Sequence, residues 1–205
     1  MTGQGERQGM SAPTVYFVRH GETDWNAEAR LQGQADKDLN DTGRAQASAN
    51  GRALAELIGT AAPFDFVASP MRRTRETMEL MRAAMGLDPA GYRTDPSLVE
   101  VNFGDWQGHT FAELETVDPG CFARRESDKW GFVPPGEGAE SYAGLAARVR
   151  PWLDGVGRDT VCVTHGGVIR AVFALTGTLK PHEAAILPVP QDRLLRLAGD
   201  TLEWQ

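Results

Sequence analysis

The sequence predicts an α/β protein with three layers, α/β/α, around a mostly parallel central sheet, and a small cap inserted at about residues 101–140. Three observations carry this reading. Short β-branched and aromatic runs alternate with helical patterns, which argues for crossover-connected parallel strands. Three of these runs stop abruptly at polar residues, at Arg19-His20, Ser69 and His165. The stretch 118–140 is rich in proline and glycine and reads as a long irregular segment, the kind that often serves as a lid.

The elements follow in order. Residues 1–12 are polar and glycine-rich and read as a flexible tail; they lack the apolar core of a signal peptide. Residues 13–205 form a single domain. Thr14–Val18 is a buried strand. Residues 23–41 are polar and irregular. A helix runs from about Thr42 to Ile58, with Leu54, Leu57 and Ile58 on one face and Gly59 closing it. Phe64–Ala68 is a second strand. A helix from Arg72 to Met85 stops at Gly86. Leu98-Val99 leads into Glu100 and a turn-rich segment, and Thr110 with Glu113 makes a capping box. Tyr142, Leu145, Val149, Trp152 and Leu153 recur at helical spacing. Thr160–Thr164 is a third strand, Val168–Leu175 a helix, and Leu194–Trp204 a hairpin about Gly199-Asp200.

Composition excludes several classes. The 205 residues, 41% hydrophobic and 24% charged, fit one globular domain with a modest insertion. A net charge of -7 argues against general nucleic-acid binding, although a few arginines still create a local positive pocket. No apolar run is long enough to span a bilayer. Cys121 and Cys162 make no disulfide framework, and a reducing cytoplasm is the expected location. There is no H-E-x-x-H and no Cys/His cluster, so neither a metal nor another cofactor is expected. Nothing in the sequence fixes the oligomeric state.

In open α/β sheets ligands bind beyond the carboxyl ends of the strands. Here those ends would gather Arg19 with Arg72 or Arg73, which carry planar donors suited to phosphate oxygens. They would gather His20 and His165, and the carboxylates Glu22 and Glu100. Gly21, Gly166 and Gly167 would let backbone approach a ligand, and helix N-termini favour an anion. Such a set suits phosphoryl transfer without a metal.

Arg19-His20-Gly21-Glu22-Thr23 after an apolar strand resembles the signature of the histidine phosphatase superfamily, the phosphoglycerate-mutase-like group. Asn26, Arg30-Leu31-Gln32-Gly33, Asp38-Leu39-Asn40 and Thr42-Gly43 continue the likeness. Ser69-Pro70-Met71-Arg72-Arg73-Thr74-Arg75-Glu76-Thr77 resembles the second arginine motif, with the phosphate-binding position at Arg73. Leu98-Val99-Glu100 with Phe103–Gly108 resembles the proton-donor segment, and Val163–Gly167 the second histidine motif. The blocks run in family order from about residue 14 to 175. One departure is Gly138-Ala139-Glu140-Ser141, where phosphatase-type members often carry Gly-Gly-Glu-Ser; Ala139 takes a positive φ less readily than glycine, which puts the loop's shape in question. Arg124-Arg125 faintly resemble substrate-binding basic residues of the mutases, a role not carried onto them.

The resemblance implies a phosphomonoesterase acting on a small phosphorylated metabolite. His20 would be the nucleophile and form a phosphohistidine. Arg19, Arg73 and His165 would stabilise the transferring phosphoryl group, with His165 serving best protonated, a state that the bound phosphate dianion would favour. Glu100 would act as acid and then base; Glu22 is the rival acid, but its place inside the nucleophile turn suits it better to orienting Arg19 or other pocket residues. Thr23, Asn26, Gln32, Gly33 and Gly166 complete the expected phosphate site. A cofactor-dependent phosphoglycerate mutase is the alternative on the same site, although its phosphohistidine must outlive water attack under a tighter cap. A catalytically silent phosphate- or protein-binding module is the third reading.

Overall fold

The computed structural model describes residues 12–59 and 64–205. Of the tail expected at 1–12, residues 1–11 lie outside the described residues. The strands are β1 (Thr14–Arg19), β2 (Asp65–Ala68), β3 (Arg93–Thr94), β4 (Thr160–Thr164), β5 (Leu194–Ala198) and β6 (Thr201–Trp204). They form one sheet in the order β3-β2-β4-β1-β5-β6. The first four in that order run parallel, and β5 and β6 add the expected antiparallel hairpin. The helices are α1 (Asp24–Ala27), α2 (Asp41–Ile58), α3 (Arg72–Ala84), α4 (Phe111–Val117), α5 (Cys121–Ser127), α6 (Tyr142–Asp154), α7 (Gly166–Leu175) and α8 (Pro181–Ile186).

Successive strand residues point to opposite faces, and here both faces are covered. Tyr16, Val18, Val161 and Val163 pack with Leu54, Met78 and Met81 of α2 and α3. Val15, Phe17 and Cys162 pack with Leu145, Val149 and Ile169 of α6 and α7. Burial on both faces explains why β1 and β4 read as continuous apolar runs. It also makes the three layers.

Several expectations change in detail. Leu57 is 46% exposed. The inner face of α2 is instead Gly43, Ala47, Asn50, Gly51 and Leu54. Small residues are needed there because α3 lies close: a Cβ on Gly51 would sit 2.4 Å from the Met81 carbonyl oxygen. The stretch 118–140 is not irregular throughout, since α5 lies within it. Gly120 enters α5 with a left-handed φ of 80°, and the Glu115 carboxylate accepts from the amides of Gly120 and Phe122. Such a short helix, started by a side chain five residues upstream, has no apolar period to betray it. Trp106, Leu114 and Cys121 form a third cluster with Phe103, Phe111 and Phe132, over the segment 101–140. Gly138 takes the positive φ of 69° while Ala139 does not, so alanine fits that loop without strain.

Candidate active site

Strands β2, β4 and β1 are neighbours, so Ser69, His165 and Arg19-His20 meet at their carboxyl ends. The ladder continues past the strands: the His20 amide donates to Thr164 O at 2.9 Å and the Ser69 amide to Val163 O at 3.0 Å. A cavity of about 270 Å³ opens there. Of the expected residues, Arg19, His20, Asn26, Gln32, Gly33, Arg73, Glu100 and Gly166 line it.

The nucleophile candidate is held by its own turn. His20 Nδ1 lies 2.8 Å from the Gly21 carbonyl oxygen. A carbonyl only accepts, so Nδ1 carries the proton and Nε2 the lone pair. Arg73 Nε donates to that Nε2 at 3.2 Å. The turn leaves no room for side chains: a Cβ on Gly21 would lie 2.2 Å from Gly43 O, and one on Gly43 would lie 2.1 Å from Glu22 O. Gly21 admits the backbone of Gly43, and Gly43 that of Glu22.

Arg73 is fully buried. Its Nη1 donates to Ala35 O at 2.9 Å, and its Nη2 to Gly33 O at 2.8 Å. Nη2 also reaches His165 Nδ1 at 3.3 Å. Guanidinium only donates, so His165 Nδ1 accepts, and Nε2–H donates to Ser69 Oγ at 2.8 Å. Burial first, and then Arg73, pushes His165 well below its ordinary 6.5. His165 is therefore neutral in this frame, where Arg73 donates to it; the protonated ring is the expectation for the site with a phosphate dianion bound. It sits behind Arg73, whose contact with it has replaced direct lining of the cavity.

Burial, followed by Arg73 and Arg19, also holds His20 well below 6.5. A neutral imidazole is the nucleophilic form. Burial, then Arg170, lowers Arg19 to about 10, and burial lowers Arg73 to about 10 against the attraction of Glu100. Both stay cationic at neutral pH. Arg19 Nη1 donates to Val189 O at 2.7 Å. Its Nε is buried without a hydrogen-bond partner among the described residues, close against Gly166.

The two lowered histidines link pH to stability. In the folded chain they resist protonation, while in the unfolded chain they titrate near 6.5. Between those values the unfolded state binds more protons, so stability rises with pH. Their contribution is fully present above 6.5 and is lost as pH falls through the folded values. Thermal unfolding followed from pH 7.5 to 5 is expected to show a falling Tm, as the unfolding free energy drops by up to about 1.4 kcal/mol per pH unit for each ring. A flat Tm across that window would contradict the neutral assignment.

Glu100 is gripped by backbone. Oε1 accepts from the Val101 amide at 2.9 Å and Oε2 from the Gly167 amide at 3.0 Å. Behind it, Arg148 Nη1 donates to Ser97 O at 2.8 Å and Val99 O at 3.0 Å, while Nε and Nη2 hold the Glu140 carboxylate. Arg148→Met removes these charge-assisted bonds from the strip carrying Glu100. A loss of about 1–3 kcal/mol in urea unfolding is expected.

Around the rim, Gln32 Nε2 donates to Thr23 Oγ1 at 2.6 Å, and Thr23 Oγ1 donates to Asn26 Oδ1 at 3.2 Å. The Asn26 oxygen is thereby occupied, leaving its amino group for the cavity. Thr23 supports this chain from behind and does not line the cavity. Glu22 does not orient Arg19: its carboxylate accepts from Asn40 Nδ2 at 3.0 Å, at the start of α2. Arg72, next to Arg73 in sequence, is the solvated arginine, paired with Asp38 at 2.7 Å.

The cavity is also lined by residues the sequence reading missed, among them Arg30, Phe111, Arg125, Lys129, Tyr142, Arg170 and Ile186. Arg170 follows His165 by five residues on α7, a spacing that offered a signal. Arg125 turns into the cavity while Arg124 pairs with Asp118 outside it. Only the packing of α5 separates the two.

The histidine phosphatase superfamily (branch 1) profile matches residues 15–205. A glucosyl-3-phosphoglycerate phosphatase of Mycobacterium tuberculosis is 37% identical over 179 residues, covering 80% of this chain and 75% of that protein. A metal-independent phosphoserine phosphatase of Arabidopsis thaliana is 35% identical over 165 residues, covering 78% of this chain and 66% of that protein. Among solved structures, a mycobacterial glucosyl-3-phosphoglycerate phosphatase in complex with VO3 superposes with a TM-score of 0.76 at 31% identity, covering 95% of this chain and 97% of that one.

Proposed function

The chain belongs to the histidine phosphatase superfamily (branch 1), and we propose that it is a metal-independent phosphomonoesterase working through a phosphohistidine on His20. The observation that carries this is the His20 ring: its Nδ1 is tied to Gly21 O and its lone-pair Nε2 lies beside Arg73 in an arginine-lined cavity. The relatives named as phosphatases support the same activity.

In the first step His20 Nε2 bonds to phosphorus and the ester P–O bond breaks. Glu100, entering protonated, gives its proton to the departing alkoxide. Arg19 and Arg73 shift their free or histidine-directed N–H groups onto the equatorial oxygens, where charge builds in the transition state. The Gly166 end of α7 and the Asn26 amino group add neutral donors. His165 positions Arg73. In the second step Glu100 takes a proton from water as its oxygen bonds to phosphorus, and the P–N bond breaks. Phosphate leaves and His20 is restored.

We take residues 101–140 as a cap over this end of the sheet, and the substrate as a small phosphorylated metabolite. The described residues contain no helix long and apolar enough to cross a membrane. The cytoplasm is the proposed compartment, in keeping with two separate buried thiols, Cys121 and Cys162. Hydrolysis of p-nitrophenyl phosphate in excess EDTA tests the activity. Turnover undiminished by the chelator is expected; turnover restored only by added metal would refute the mechanism.

A further inference from the structure

The chain between α8 and β5 passes beside the cavity and meets its residues at alternate positions. Leu187 O accepts from Arg170 Nε at 2.8 Å, and Val189 O from Arg19 Nη1 at 2.7 Å. Pro188 and Pro190 alternate with them, with fixed φ and no N–H to satisfy. Next in the alternation comes Gln191, half-buried, which makes its contact through its side chain. Gln191 Nε2 lies 3.1 Å from His20 O and 3.1 Å from Asn26 Oδ1. Its own carbonyl accepts from Asn50 Nδ2 of α2 at 2.9 Å, and Asn50 is buried.

These contacts fix which way two amides point. A carbonyl oxygen only accepts, so Gln191 turns its amino group toward His20 O. The same amino group faces Asn26, which therefore presents Oδ1 to it. The Thr23 amide donates to that oxygen as well, at 3.2 Å. Two groups that can only donate thus hold the Asn26 oxygen, and its amino group is the end left over on a residue that lines the cavity beside His20. The bond to His20 O acts on the nucleophile too. The peptide joining His20 to Gly21 is pinned at its oxygen by Gln191 and at its nitrogen by Thr77 Oγ1, 3.0 Å away. The next carbonyl, Gly21 O, is the one that orients the His20 ring.

We infer that Gln191 is a positioning residue: it aims the Asn26 amino group at the transferring phosphoryl group and steadies the His20–Gly21 peptide, touching no reacting atom itself. The inference rests on reading the His20 end of the cavity as the phosphate site. A side-chain amide has one donating end and one accepting end. Turned the wrong way, Asn26 would meet the phosphate with its oxygen and repel it. A neutral donor at such a site therefore needs a partner that distinguishes its two ends. Arginine needs none, because every polar atom of a guanidinium donates. Gln191 reaches its place because β5 pairs with β1, which brings the residues before Leu194 to the end of the nucleophile strand.

Binding of inorganic phosphate, followed by calorimetry at neutral pH, tests this without turnover. Gln191→Glu keeps the size of the side chain and replaces its amino group with an acceptor. It is expected to weaken phosphate binding at least about tenfold. Gln191→Met, which only removes the donor, is expected to cost about threefold to tenfold and keeps the test open should the glutamate variant fail to fold. The introduced carboxylate could also repel phosphate directly, and Asn26→Ala separates the two effects. Added to Asn26→Ala, Gln191→Glu is expected to cost less than about threefold more, because its partner is gone. The full loss in that background would assign the effect to charge alone and overturn the inference. Nitrogen-15 NMR gives a readout that a merely structural role would not move. The Asn26 amino protons, identified by their loss in Asn26→Ala, are expected to shift on phosphate addition in the native protein and to respond weakly in either Gln191 variant. Equal affinity, or an equal shift, in native and variant proteins overturns the role of Gln191 alone. Phosphate that fails to bind even the native protein overturns the phosphate site and the inference with it.

Discussion

His20→Ala is expected to lower kcat by at least about 10⁴-fold, as removal of a nucleophile does elsewhere. No neighbouring group can replace it. His165 is the nearest imidazole, with ring centroids 5.2 Å apart, but its Nδ1 accepts from Arg73 and its Nε2 faces Ser69. The covalent intermediate gives a second readout. Native protein quenched in alkali during turnover of a ³²P-labelled ester is expected to carry acid-labile label, and the variant none. Label retained by the variant would place the nucleophile elsewhere. The ladder bond from the His20 amide to Thr164 O involves backbone alone, so the strand end should survive the substitution.

Glu100→Gln is expected to act differently on different leaving groups. An alkyl alcohol leaves only with a proton, so kcat on a simple alkyl phosphate should fall by about 10²–10⁴-fold. Nitrophenolate leaves without help. With p-nitrophenyl phosphate the first step should stay fast, while the second lacks its base. Stopped-flow absorbance is then expected to show a burst of one nitrophenol per site followed by slow release. A uniform loss on both esters, with no burst, would mean that Glu100 only shapes the pocket. Gly167→Ala should mimic the variant, because a Cβ there would lie 2.1 Å from Glu100 Oε1 and displace the carboxylate from its amides.

Much of this site is legible in sequence because strand ends and glycines announce it. The runs of β1 and β4 are buried on both faces, so their polar ends stand out, and His20 and His165 mark them. Glu100 is legible only through its motif, since one of the two amides that grip it, that of Gly167, comes from α7. Residues that act through long-range packing are not legible. Arg125 and Arg124 are adjacent on a helix with no apolar period, and only the cluster under Phe111 turns the former inward. Glu22 was misread for a related reason: its partner is Asn40, on the far side of a loop closed by Gly21 and Gly43. The charge of His165 could not be inferred from its motif either, because it is set by burial and by the Arg73 guanidinium.

The sheet order has a consequence for how the chain comes to be folded. β1 leads the sequence, yet both of its neighbours, β4 and β5, lie beyond residue 159. During synthesis the first strand therefore waits, unpaired on both edges, until most of the chain has left the ribosome. Pairings this distant in sequence slow the search for the native state and leave a sticky edge exposed meanwhile. Arg19 and His20 are thus made early and wait for β4 and His165 to reach them, and truncation anywhere before β4 leaves β1 without either partner.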